Sequence, residues 1–300
     1  MSKLTNIVIA TDLAAASRHA TDRATGLART HDATLTLVHV LSSSALDELR
    51  RWAGDETSAK AVEDDARKRL RALTADLRQR HNSRVTEQHM VGHPVVEVTR
   101  LAEQLDADLL VTGTRGTRFI RGVVVGSTAE RIARRARRPV LMVRQSVHEP
   151  YRRVLVPVDF SPWTLEAVRL AAGVAPGAEL VLMHAIEVPF EGRMRMAGVP
   201  DSTVAQYRER LRIEATQQLQ ALVRQAGLAS ARIRLSTPTG GDPWMLIAEE
   251  EQEHDCDLVV IGRQGRHALD ELLLGSTTRT VLAECSADVL ISIYREDATA

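Results

Sequence analysis

The chain of 300 residues carries only two cysteines, Cys256 and Cys285, with no C-x-x-C spacing. A disulfide scaffold is not expected, and so few thiols suit a reducing compartment. Charge of either sign in excess is also missing: 39 Lys plus Arg meet 39 Asp plus Glu. No overall field favours nucleic acid, acidic partners or a membrane surface. No apolar run approaches the ~18 residues of a membrane span. Met1-Ser-Lys-Leu leads straight into Ile7-Val-Ile-Ala10, too short an apolar stretch for a signal peptide. The expectation is a cytoplasmic protein with no membrane and no nucleic-acid partner.

Catalytic signatures are equally scarce. There is no Walker loop, no glycine fingerprint after the first strand, no H-E-x-x-H and no Ser-centred nucleophile elbow. Ten histidines are scattered without metal-ligand spacing. His39 and His184 match across the two halves at strand ends, where a hydrogen-bonded structural histidine is favoured over a catalytic base. No catalytic residue is assigned, and the metal ligands, if any, stay unknown.

What is present is a repeat. Gly113-Thr-Arg-Gly116, nine residues, Gly126-Ser127 recurs 149 positions later as Gly262-Arg-Gln-Gly265, nine residues, Gly275-Ser276. Each phrase follows an apolar run that reads as a buried strand and precedes a helical pattern, so its glycines let backbone N–H groups approach an anion. The halves are expected to be domains of residues 1–148 and 149–300.

Each half reads as five strands with four helices: an α/β fold of two tandem, Rossmann-like, parallel five-stranded sheets. The first strands end at Asp12 and Asp159. Asp12 or Ser17 suits the start of the helix that follows in the first half; in the second, Ser161 suits the cap and Pro162 the first helical position. The charged stretches 47–81 and 201–226 read as amphipathic helices. Pro94 and Pro243 each begin another. Laid across the repeat, Cys256 falls on Ala107 and Cys285 on Ala136, which marks small packing sites. Ala129, Ile132, Ala133 and Ala136 form one apolar helix face, matched by Thr278, Val281, Leu282 and Cys285. Arg131, Arg134, Arg135, Arg137 and Arg138 are left for solvent and the helix end.

With strand order 3-2-1-4-5, the switch point lies between strands one and four, and each aspartate faces its glycine phrase across a crevice. Phosphate would be held by amides at Gly113 to Gly116 and Gly126 to Thr128, with the Ser127 hydroxyl; Gly262, Gly265, Gly275, Ser276 and Thr277 repeat the set. Ser127 and Ser276 also suit plain helix caps. Arg115 and Arg263 stand within the loops. Arg118 and Arg121 add charge to the first loop, whereas Asp270 and Glu271 offset Arg266 in the second, so the first site is expected to hold a triphosphate more strongly at low salt.

The strand-one aspartate, the Gly-x-x-Gly-x9-Gly-Ser phrase and the last strand introduced by Arg-Pro-Val or Ala-Asp-Val together resemble the universal stress protein family, in its tandem, ATP-binding branch. The resemblance implies an adenine-nucleotide alpha hydrolase-like fold, ATP often accompanied by a divalent cation such as Mg or Mn, and a role in stress adaptation; the expected function is a nucleotide-dependent regulator, with a slow metal-assisted ATPase or a protein-binding scaffold with incidental nucleotide as the alternatives. It implies that Asp12 and Asp159 contact the adenosine part, that Val40 and Ala185 line the adenine pocket, and that domains pair through their last strands, within one chain or as a homodimer. An unidentified protein partner goes with the regulatory role. Pro157 stands where the first half has Ala10, a difference expected to reshape the base pocket.

Overall fold

The computed structural model describes residues 3–54, 56–81, 84–114, 126–146, 149–228, 231–264 and 274–293. They fall into two compact bodies, one running to Pro150 and taking up the chain again at Asp288, the other running from Tyr151 to Ala287.

In the first body the order is β1 (Asn6–Ala10), α1 (Arg18–His31), β2 (Thr34–Ser42), α2 (Ser43–Ala53), α3 (Glu56–His81), β3 (Val85–Gly92), α4 (Pro94–Gln104), β4 (Leu109–Gly113), α5 (Ser127–Arg135) and β5 (Val140–Val143). The strands lie side by side as β3-β2-β1-β4-β5, all parallel. Ile7, Val8 and Ile9 are buried on both faces of β1, as a strand covered by helices on each side requires. Ala20, Ala24, Leu27 and Ala28 supply the buried stripe of α1.

The second body holds β6 (Arg153–Pro157), α6 (Thr164–Val174), β7 (Glu179–Met183), α7 (Glu191–Met196), α8 (Asp201–Gln225), β8 (Ile233–Ser236), α9 (Pro243–Glu253), β9 (Leu258–Gly262) and α10 (Ser276–Glu284). Here β6 pairs in parallel with β7 and β9, and β7 with β8. The last strand, β10 (Asp288–Ser292), belongs to the first body, where it pairs antiparallel with β5.

Each repeat therefore supplies five strands, as expected, but five helices rather than four among the described residues. The charged stretch 47–81 is two helices because Gly54, at φ 71°, ends α2 in a left-handed cap. In the second repeat α7 precedes α8. Both predicted proline starts hold, with Pro94 and Pro243 in the first turn of α4 and α9. Ser161 and Pro162 do not open α6: they form a turn, and the helix begins at Thr164. Cys256, Cys285, Ala107 and Ala136 are all buried, so the Cys/Ala exchange does mark small packing sites. The apolar faces of α5 and α10 are buried as read. Arg134 meets Glu130 and Arg138 meets Asp106 in ion pairs, while Arg131, Arg135 and Arg137 are exposed.

Candidate functional site

In each repeat the registers bring three segments to one crevice. Ala10 pairs with Val38 on one side and Thr112 on the other. Continued by two residues, these registers set Asp12 between Val40 and Thr114. In the second repeat Pro157 pairs with Met183, so the same continuation sets Asp159 beside Ala185; on the other side the last pair, Leu155 with Val259, lies four residues before Asp159 and Arg263. The crevice is the switch point, as anticipated. Val40, Ala185 and both aspartates are half-buried.

The aspartates shape the turn that follows them. Asp12 Oδ1 accepts the Ala14 N–H at 3.0 Å. Asp159 Oδ1 accepts the Ser161 N–H and the Thr164 hydroxyl, each at 3.0 Å. Asp159 thus tethers the start of α6 together with Ser161, whose carbonyl accepts the Thr164 N–H at 3.1 Å, while Ser17 stands at the cap position of α1 without a side-chain cap bond and hydrogen-bonds Thr11 and Ala14 instead. Leu13 and Phe160, the residues immediately after the two aspartates, are both left-handed, at φ 60° and 55°. Bulky side chains rarely adopt that backbone, and its recurrence at equivalent positions marks a turn held by its surroundings. Sequence reading missed this pair; the one available signal was an Asp followed by a bulky residue at the same place in both halves.

The matched histidines brace the same turn. His39 Nδ1 lies 2.9 Å from the Thr11 carbonyl and His184 Nδ1 lies 2.7 Å from that of Val158. A carbonyl only accepts, so each ring donates from Nδ1. Both rings are hydrogen-bonded to backbone, as expected.

Opposite the aspartates, each glycine phrase closes on itself. The Gly126 N–H donates to the Thr114 carbonyl at 2.7 Å, and the Gly275 N–H to that of Arg263 at 3.0 Å. Gly113 and Gly262 are the last residues of β4 and β9. A Cβ added at Gly126 would stand 3.2 Å from the Thr114 oxygen, and one at Gly262 would stand 3.1 Å from the Gln264 oxygen. Gly126 and Gly275 occupy the cap positions of α5 and α10, with no side-chain cap bond. Ser127 and Ser276 are therefore first-turn residues, which corrects the cap reading. Both are exposed or half-buried at the helix surface, as are Thr128 and Thr277. The first-turn N–H groups of both helices point out of the helix end, where no carbonyl one turn back is available to them. Arg115, Gly116 and Gly265 lie outside the described residues, as do Arg118, Arg121, Arg266, Asp270 and Glu271. Among the described residues no group of three His, Cys, Asp or Glu gathers as a metal site, and no helix is long and apolar enough to cross a membrane.

The molecule is a tandem of α/β repeats, each with a braced aspartate turn and a glycine-closed helix start at its switch point. Its family follows from comparison. The family model described as "Universal stress protein family" matches residues 3–144 and again 150–292, and the chain belongs to that family. A universal stress protein of Mycolicibacterium smegmatis is 26% identical over 298 residues, covering 95% of this chain and 96% of its own length. One of Methanocaldococcus jannaschii is 27% identical over 143 residues, covering 48% of this chain and 84% of its own. The crystal structure of a universal stress protein from Archaeoglobus fulgidus superposes with a TM-score of 0.64 at 18% identity, covering 96% of this chain and 98% of that one. This last likeness is one of fold.

Proposed function

We propose that each repeat binds ATP at its switch point and that the chain acts as a nucleotide-dependent regulator of the stress response rather than as a dedicated enzyme. The observation that carries this reading is the matched pair of loop closures, Gly126 to Thr114 and Gly275 to Arg263. Each sets a helix start at the same switch point as the braced aspartate. Phosphates would accept from the first-turn amides and from Ser127 or Ser276, helped by the positive end of the helix dipole. Asp12 and Asp159 would accept from the ribose hydroxyls, and Val40 and Ala185 would border the base. Glycine suits Gly126 and Gly262 because a Cβ there would press on backbone oxygen, at 3.2 and 3.1 Å. A Mg or Mn ion would be carried mainly by the phosphates themselves. Cytoplasmic location and pairing with a protein partner belong to the same reading.

The test is Ser127→Asp plus Ser276→Asp in the full chain. An aspartate in the first turn suits the helix dipole, so stability holds or rises, while its charge opposes phosphate. Isothermal calorimetry should show ATP affinity reduced at least about tenfold, a loss of ~1.4 kcal/mol. Undiminished affinity removes the assignment. Steady phosphate release that disappears with Asp12→Ala plus Asp159→Ala would turn the regulator into a slow ATPase.

A further inference from the structure

The edge of β5 accepts β10 in a register with an internal symmetry. Val289 faces Met142, Leu290 faces Leu141 and Ile291 faces Val140. The repeat offset carries Leu290 onto Leu141 (290 − 149 = 141), so the pairing is symmetric about that position. β5 of a second copy of this chain would fit the same edge, with Leu141 against Leu141. Both segments are buried and mainly apolar, and hydrophobic fit does not distinguish them.

One pair of charges does. Asp288, at the head of β10, is fully buried. Its Oδ1 accepts the N–H groups of Arg144 at 2.7 Å and Gln145 at 3.1 Å. Arg23 Nε, on α1, lies 3.3 Å from its Oδ2. Arg23 also donates from Nη1 to the Glu149 carbonyl at 2.9 Å. The repeat equivalent of Asp288 is Pro139 (288 − 149), and that of Arg23 is Leu170 (23 + 147, the offset that carries Asp12 onto Asp159). A second copy's β5 would bring Pro139 to the place of Asp288. The buried Arg23 would then lose this carboxylate and two backbone N–H groups the same acceptor, a costly combination.

We propose that Arg23 and Asp288 form a selectivity lock, which admits the chain's own last strand to the edge of β5 and rejects β5 of another copy. The lock is one-sided, since the reciprocal positions carry no charge, and it discriminates by penalising the wrong partner as well as favouring the right one.

The experiment uses the full chain with Leu141→Cys, which faces Leu290 in the native pairing and would face its own counterpart in the copy-to-copy pairing, close enough for a disulfide. After refolding and mild oxidation, the Arg23→Leu plus Asp288→Asn background should give at least about ten times more cross-linked dimer than the native background. The amide introduced by Asp288→Asn keeps an acceptor for the two N–H groups, so this variant tests charge rather than folding. Arg23→Leu alone, read by hydrogen exchange, should lower protection of the Val289 to Ile291 amides by about a hundredfold. Equal cross-linking in the two backgrounds, or native protection in Arg23→Leu, overturns the proposal.

Discussion

Replacing Asp159 by alanine removes the acceptor for the Ser161 N–H and the Thr164 hydroxyl. Ser161 and Thr164 are buried, so water does not readily replace the carboxylate, and Phe160 must hold its left-handed backbone with one tether fewer. Hydrogen bonds to a charged group contribute about 1.5–3 kcal/mol each. Asp159 is half-buried, and halving the two-bond sum for solvent leaves about 1.5–3 kcal/mol. For a repeat of this size that corresponds to a melting temperature lowered by about 3–12 °C. Asp159→Asn keeps an acceptor at Oδ1 and should lose less than about 1 kcal/mol. The two variants separate structure from binding: if the carboxylate also meets a ribose, asparagine weakens ATP at the second site while leaving the fold nearly intact. Calorimetric melting without ligand, followed by ATP titration, reads both. An alanine variant as stable as the parent would refute the claim that Asp159 holds the turn.

Burial pushes the Cys256 thiol up from 9.0 to about 12, with the Asp257 and Glu251 carboxylates adding to the effect. The folded state keeps this proton when the unfolded chain releases it, so stability should fall as pH rises from about 9 towards 12. Cys256→Ala, which restores the residue found at Ala107, should flatten urea midpoints across that range; an unchanged slope would exclude this thiol as the cause. His89 is held below its ordinary value, first by burial and then by His39 and Arg67. The unfolded chain takes up this proton first, so stability is lost as pH falls below about 6.5. His89→Gln should reduce that acid sensitivity in the same urea series. Gly126→Ala should weaken ATP at the first site and, with its Cβ 3.2 Å from the Thr114 oxygen, lower thermal stability slightly; calorimetry on the single variant checks both.

The fold was legible because its signals are local and doubled. β1, β2, β4 and β5 follow apolar runs, β3 an alternating segment, and the two Gly-x-Pro phrases mark the starts of α4 and α9 at Pro94 and Pro243. The breaks were harder to see. Gly54 ends a helix inside a stretch whose charge pattern continues through it, and α7 is a six-residue helix with no full apolar stripe. In the crevice, glycine spacing and the aspartates gave the segments that meet. Cap assignment failed because a serine next to a glycine suits two positions, and the choice falls to the backbone: Gly126 adopts the extended cap conformation at φ −67° and ψ 139°. The left-handed Leu13 and Phe160 carry no compositional mark, since the residue types that favour such a backbone are glycine and asparagine. The Arg23–Asp288 pair joins positions 265 apart in sequence (288 − 23), beyond any periodicity.

Pro157 makes the two crevices differ in how they open. The Val158 N–H points to β7, where it meets the Met183 carbonyl, so the backbone nitrogen of Pro157 points to β9 and has no hydrogen to offer. The ladder there runs through Val154 and Leu155 alone, against four pairs between β1 and β4. The second crevice therefore lacks, at its mouth, the strand pairing that Ala10 and Thr112 make in the first. If both repeats bind ATP as proposed, exchange should be faster at the second site than at the first even where affinities are alike, and stopped-flow release from each single-site variant reads the difference.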